Sequence, residues 1–196
     1  RVAPVILDDG DPGFSFVGDW VQSNCEYFYD SDARYICGTI GGANVARWQF
    51  TGLEAGATYQ VSATWVGGTG RSTDAPYTVT GGAVPVTTVM NQRLSPAAYP
   101  GSFQDQDASW ANLTTAYTIF GDTLTVQLSD AHSGGCVIAD AIRVIQVTTP
   151  EISVWDGGAS LVDGVSQVNM GETDGTPLQR EFLIRNEGGA TLSLGE

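Results

Sequence analysis

Apolar residues recur at every second position over much of the chain. Tyr59, Val61, Ala63 and Trp65 fall on one side, with Gln60, Ser62 and Thr64 on the other. That two-residue period is the pattern of a strand with one face buried. Similar runs cover 45–50, 77–80, 84–90, 116–120, 123–128 and 136–147. Between them stand Gly-Gly, Thr-Gly, Gly-Asp and Ser-Gly-Gly, the residues that turns require. Helical stripes do not extend beyond about two turns, so the spacing predicts an all-β chain built as a sandwich or barrel.

The run from Val137 to Val147 is rich in apolar residues, interrupted by Asp140 and Arg143, and reads as one long last strand. Thr148-Thr149-Pro150 then breaks the pattern, as a linker would. Three segments follow: a sandwich over 1–147, a linker over 148–150 and a second unit over 151–196. In the second unit Ile152 to Trp155, Leu161, Val165 with Val168, and Phe182 to Ile184 suggest four short strands. So few strands bury a marginal core, and this unit is expected to be the front part of something longer.

Charge narrows the functional classes. Eight basic residues stand against 22 acidic ones, a formal net charge of −14. That balance argues against nucleic acid as a partner. All eight basic residues are arginines, and the lack of lysine rules out Schiff-base chemistry and a phosphate-binding P-loop. No run approaches the roughly 20 apolar residues that span a bilayer, so membrane insertion is not expected. An acidic, lysine-free, glycine-rich β chain fits an extracellular or cell-surface protein better than a cytosolic enzyme.

Several blocks in order resemble a known family. They are Asp8 to Ser15 with Gly18 and Trp20, Tyr35, Asn44 to Trp48, Gly56 to Val61, Arg71 to Val79, and Val137 to Val144. Together they resemble the golvesin C-terminal-like domain, also described as the golvesin and xanthan lyase carbohydrate-binding-like domain, over 1–147. The resemblance implies a jelly-roll-like β-sandwich appended to secreted bacterial proteins, non-catalytic, with polysaccharide as its partner. After the linker, Pro150 to Val154, Gly171 to Thr173, and Phe182 to Gly188 with Thr191-Leu192 resemble the start of a choice-of-anchor D domain, an immunoglobulin-like unit of bacterial surface proteins. Its missing strands are expected either in further sequence or from another chain that adds strands to 151–196.

Two segments are candidates for ligand binding. The first is Glu26-Tyr27-Phe28-Tyr29-Asp30 with Tyr35, the densest run of rings in the chain. Three consecutive rings cannot share one face of a strand, so Tyr27 and Tyr29 form either an exposed platform for a sugar or a cap on the sandwich end. The second is Arg71, Thr73, Asp74 and Tyr77. Here Arg71 and Asp74 either bond to sugar hydroxyls or pair with each other, and Tyr77 is either a stacking ring or core. Trp48 and Trp65 are expected in the core, and Trp110 fits either place. The acidic balance favours neutral glycans over polyanions.

No cofactor is required, but a structural calcium ion is one reading of the acids. In several calcium-containing jelly-roll binding modules, the first strand and an acid in the last strand share an ion. By that analogy Asp9, Asp11 and Asp140 would hold it, with carbonyl oxygens completing the shell; the alternative pairs Asp140 with Arg143. Three cysteines allow one disulfide and one free thiol. Cys25 with Cys37 would pin the ring-rich loop, and Cys37 with Cys136 is the competing pair if their strands are neighbours. His132, the only histidine, sits in the turn Ser129 to Gly135, which supplies neither a nucleophile nor an oxyanion site. The expected role is carbohydrate binding or surface adhesion, with a structural spacer as the alternative and a hydrolase fragment as the third reading.

Overall fold

The structure, a computed structural model, describes residues 3–38, 40–148, 152–162, 165–169, 171, 175 and 179–186. Its strands in the first unit are β1 (Val5–Leu7), β2 (Phe14–Val17), β3 (Val21–Asn24), β4 (Asp32–Cys37), β5 (Val45–Phe50), β6 (Thr58–Ala63) and β7 (Ala75–Thr80). They continue as β8 (Val86–Met90), β9 (Phe103–Asp105), β10 (Ala108–Thr118), β11 (Leu124–Ser129), β12 (Cys136–Ala139) and β13 (Ile142–Gln146). The second unit holds β14 (Ile152–Asp156), β15 (Ala159–Leu161) and β16 (Phe182–Asn186). Among the described residues the helical elements are two 3-10 turns, Tyr29–Ser31 and Pro96–Ala98. Among the described residues no helix is long and apolar enough to cross a membrane.

The first unit, Ala3–Val147, is a β-sandwich. One sheet has the order β1-β13-β6-β10-β9 and another β2-β5-β11-β7-β8, all antiparallel, and a three-stranded sheet β12-β4-β3 completes it. Alternation supplies the core: Tyr59, Val61 and Ala63 from β6 join Ala46, Trp48 and Phe50 from β5 and Leu124, Val126 and Leu128 from β11. Each strand turns one row of side chains inward, and closing the two rows on each other removes the apolar surface from water.

The last apolar run is divided. It breaks at Asp140-Ala141, so that β12 pairs with β4 in the three-stranded sheet while β13 pairs with β1 and β6 in a five-stranded one. The break is held in place: Trp48 Nε1 donates to the Asp140 carbonyl at 3.2 Å, and the Thr64 amide donates to the Ala141 carbonyl at 3.1 Å. The polar interruption at Asp140 marks the place, but the sequence does not say that the strand changes sheet there.

The disulfide joins Cys37 to Cys136, and Cys25 is free and half-buried. This corrects the Cys25–Cys37 pairing. Cys37 lies directly opposite Cys136 in the β4–β12 ladder, with Cα atoms 4.2 Å apart, whereas Cys25 closes a turn in which its amide binds the Ser31 carbonyl.

In the second unit β14 pairs with both β15 and β16. The stretch around Val165 is a turn, with the Val165 and Ser166 amides on the Val162 carbonyl, rather than the fourth strand expected there. Arg180 makes a two-pronged contact with Asp156, and the Arg185 guanidinium lies over the Trp155 ring.

Candidate functional site

The chain between β3 and β4 reverses in the 3-10 turn Tyr29–Ser31, where Asp30 and Ser31 take positive φ of 46° and 74°. A second turn, the two-residue hairpin between β9 and β10, has Gln106 and Asp107 at 46° and 61°. These are the four non-glycine residues in that conformation among the described residues. Such backbone is costly for residues with a Cβ and clusters where a site demands it. Here the two turns meet, as Tyr29 donates its hydroxyl to Gln106 Oε1 at 3.2 Å and its ring stands edge-on to Trp110 at 5.6 Å.

Between the turns lies an open cleft of about 1240 Å³. Tyr27, Phe28, Tyr29 and Asp30 form one side, Gln106 to Ser109 another, and Thr64 to Gly67 with Arg93 also line it. Tyr27 is 74 % exposed. Trp65, 3 % exposed, donates its indole N–H to the Leu94 carbonyl at 2.9 Å and packs on Tyr77 and Tyr99. Gly67 is required beside it, since a Cβ there would lie 2.8 Å from the Leu94 backbone. Trp110 is fully buried beneath the β9–β10 hairpin, its indole N–H on the Asp105 carbonyl.

Next to the cleft is a cage of carboxylates. Asp8, Asp9 and Asp32 bring side-chain oxygens within 4.8 Å of one another. Asp8 and Asp9 follow directly on β1, Asp32 opens β4, and Asp140 stands at the break between β12 and β13. Asp8, Asp9 and Asp140 are 4, 2 and 2 % exposed. Oxygens of all three (Asp8 Oδ1, both of Asp9 and Asp140 Oδ2) are buried without a hydrogen-bond partner. Arg34 Nε stands 3.3 Å from Asp9 Oδ2 but lacks hydrogen-bond alignment, and its guanidinium lies over the Phe16 ring.

Burial, followed by the neighbouring Asp9 charge, raises Asp8 to about 7. Burial, followed by the Asp32 charge, raises Asp9 to about 6. Burial and then the charges of Asp8 and Asp9 push Asp140 well above the usual carboxylate range. Arg34 alone offsets the negative charge of these buried carboxylates, which is too little for so many acids so close together, and a divalent cation with oxygen ligands is the species that fits them.

The acids gathered here differ from the expected trio. Asp9 is in the cage and Asp140 beside it, but Asp11 serves a turn, its Oδ2 accepting from the Asp8 amide at 2.9 Å. Asp8 and Asp32 belong instead. Asp32 lay in the ring-rich segment and carried no signal of its own. Asp140 does not pair with Arg143, which bonds Asp105 at 2.7 Å.

The Arg71–Tyr77 segment is elsewhere, and none of its residues lines the cleft. Tyr77 is a core residue, 1 % exposed, hydrogen-bonded to Gln92 and the Ile138 carbonyl. Asp74 accepts from Ser72 and from the Ser133 amide rather than pairing with Arg71, and those bonds, the Ser133 amide first, hold it below its ordinary value. Arg71 is stitched to β12 by the bridge to Cys136, and burial lowers its pKa. Tyr35 lies in β4 between Val21 and Ile138 and is half-buried. His132 accepts from the Gly134 amide through Nδ1, within its own turn.

Among solved structures, a xanthan lyase from Paenibacillus matches with 26 % identity and a TM-score of 0.59, covering 74 % of this chain and 13 % of that one. An exo-β-1,3-galactanase from Phanerochaete chrysosporium gives 12 % and 0.48, covering 73 % and 29 %. The CBM35 module of Cellvibrio japonicus Abf62 gives 15 % and 0.46, covering 73 % and 93 %. The chain thus spans a small part of the lyase's length. No curated protein matches. The golvesin C-terminal domain family matches residues 5–146, the β-sandwich with its cleft and cage, and the chain belongs to that family.

Proposed function

We propose that the first unit is a non-catalytic carbohydrate-binding module whose ligand lies in the cleft between the Tyr29 and Gln106 turns. The observation that carries this reading is the exposed Tyr27 ring beside Tyr29 on the wall of an open cleft with polar sides. A ring offers the apolar face of a pyranose a rigid platform at little cost in conformational entropy. Asp30, Gln106, Asp107 and Ser109 supply acceptors and donors for hydroxyl groups around it. Asp8, Asp11, Glu26, Asp30 and Asp107 face a single arginine, Arg93, across the lining. That excess repels polyanions, and neutral glycans are the ligand class. The family's match and the likeness to one region of a xanthan lyase support carbohydrate binding, and an extracellular setting belongs to the same proposal.

The carboxylate cage takes a calcium ion in this reading, held by Asp8, Asp9 and Asp32 with Asp140 behind them, where its charge would neutralise the buried acids. Affinity electrophoresis through gels containing neutral galactan, glucan or mannan tests the module, with xanthan as the anionic comparison. Retardation by a neutral polysaccharide that disappears in Tyr27→Ala is the expected result. Equal retardation of Tyr27→Ala would move the binding site off the cleft.

A further inference from the structure

The cage and the cleft share parts. Asp8 belongs to both, clustering with Asp9 and Asp32 on one side and lining the cleft on the other. Tyr29 is a second link, because its ring and hydroxyl stand in the cleft wall while its backbone N–H donates to Asp140 Oδ1 at 3.2 Å. Asp32 is the third, since it follows directly on the Tyr29–Ser31 turn. The turn that presents Tyr29 and Asp30 to a ligand is therefore tied by acids at both ends, Asp140 at its start and Asp32 at its finish.

Its backbone is unusual for its residues, with Asp30 and Ser31 both left-handed, so surrounding contacts must hold it there. With the cage empty, those contacts include buried like charges that repel one another. Moving Asp32 or Asp140 apart from Asp8 and Asp9 shifts the ends of the turn, and Tyr29 with it.

We propose that the Tyr29–Ser31 turn couples the carboxylate cage to the cleft, so that a divalent cation in the cage and a glycan in the cleft strengthen each other's binding. The coupling rests on the glycan-binding reading above. It is reciprocal by thermodynamic necessity: whatever factor the cation adds to glycan affinity, the glycan adds to cation affinity. Asp32 and Asp140, loaded, hold the turn in the form that sets Tyr29 against Gln106 and Trp110.

The test uses the whole chain in galactan, glucan and mannan gels with calcium chloride or EDTA. Calcium titration calorimetry with and without the retained polysaccharide, and hydrogen exchange at the Tyr29 amide, complete it. The expected results are about tenfold stronger retention in calcium, calcium affinity raised by the same factor when glycan is present, and slower exchange of the Tyr29 N–H in calcium. Asp9→Asn, which alters the cage at a residue outside the cleft lining, is expected to show the wild-type EDTA level of retention in both buffers. Calcium binding that leaves retention unchanged overturns the coupling and leaves the glycan-binding reading standing. Absence of calcium binding overturns it too, and absence of retention on every gel in both buffers removes the coupling and the function together.

Discussion

Two ring-containing loops of this molecule look alike in composition and end in opposite states. The segment from Arg71 to Tyr77 consumes its polar groups internally: Asp74 is satisfied by Ser72 and Ser133, and Tyr77 by Gln92 and Ile138. Its start is sewn to β12 beside the disulfide. The segment from Cys25 to Asp32 is tied at Tyr29 and Asp32 but leaves other costs unrelieved. Tyr27 is exposed, Asp30 and Ser31 hold a costly backbone, and oxygens of Asp8, Asp9 and Asp140 at its base are buried without a hydrogen-bond partner. A loop that satisfies itself contributes stability, whereas one that leaves cost unrelieved is the place where a ligand has something to gain.

Perturbations of the two loops should separate stability from binding. The largest effect is expected from Cys37→Ser with Cys136→Ser, which opens a loop of 99 residues. By loop entropy the loss is roughly 3–5 kcal/mol, seen as a lower denaturation midpoint, while Cys25→Ser leaves the midpoint in place. An unchanged midpoint in the double variant would show that β12 is held without the bond.

Next comes the pH dependence of the cage in EDTA. Asp8 and Asp9 are raised from 3.8 to about 7 and about 6, so between those limits the folded state binds more protons than the unfolded one. Stability is then greatest at low pH within this window and falls as pH rises through 6 to 7, the reverse of a salt-bridged carboxylate. Asp140, Asp32, Asp11, Arg34 and Tyr29 are the other titratable or charged groups around these acids. Thermal melts at pH 5 and pH 8 should show the higher midpoint at pH 5, with Asp8→Asn flattening the difference; a higher midpoint at pH 8 would contradict the cage.

Smaller still is Tyr77→Phe, which removes a buried hydroxyl and costs about 1 kcal/mol while leaving glycan retention unaltered. Tyr27→Ala is the converse, with stability within about 0.5 kcal/mol of the parent and retention lost. If both variants lose retention, the two loops do not divide the work as their contacts indicate.

The strands and their inward rows were legible from alternation alone, as at Tyr59, Val61 and Ala63, because burial on one face of a pleat leaves a period of two. Short strands escaped this reading: β1, β2 and β3 are three or four residues long, too few to establish a period. Tyr27 and Tyr29 were recognisable as ring-bearing candidates for the same local reason, that adjacent residues cannot all face inward. The sequence by itself determined an all-β, lysine-free acidic chain and the exposure of part of its ring cluster. Tertiary structure alone decided that the last apolar run changes sheet at Asp140, that Cys37 faces Cys136, and that Asp32 joins Asp8 and Asp9. Each of these depends on which strands become neighbours, a long-range choice made by sheet pairing: the sequence marks Asp140 as an interruption and allows Cys37 with Cys136, but cannot choose between the alternatives.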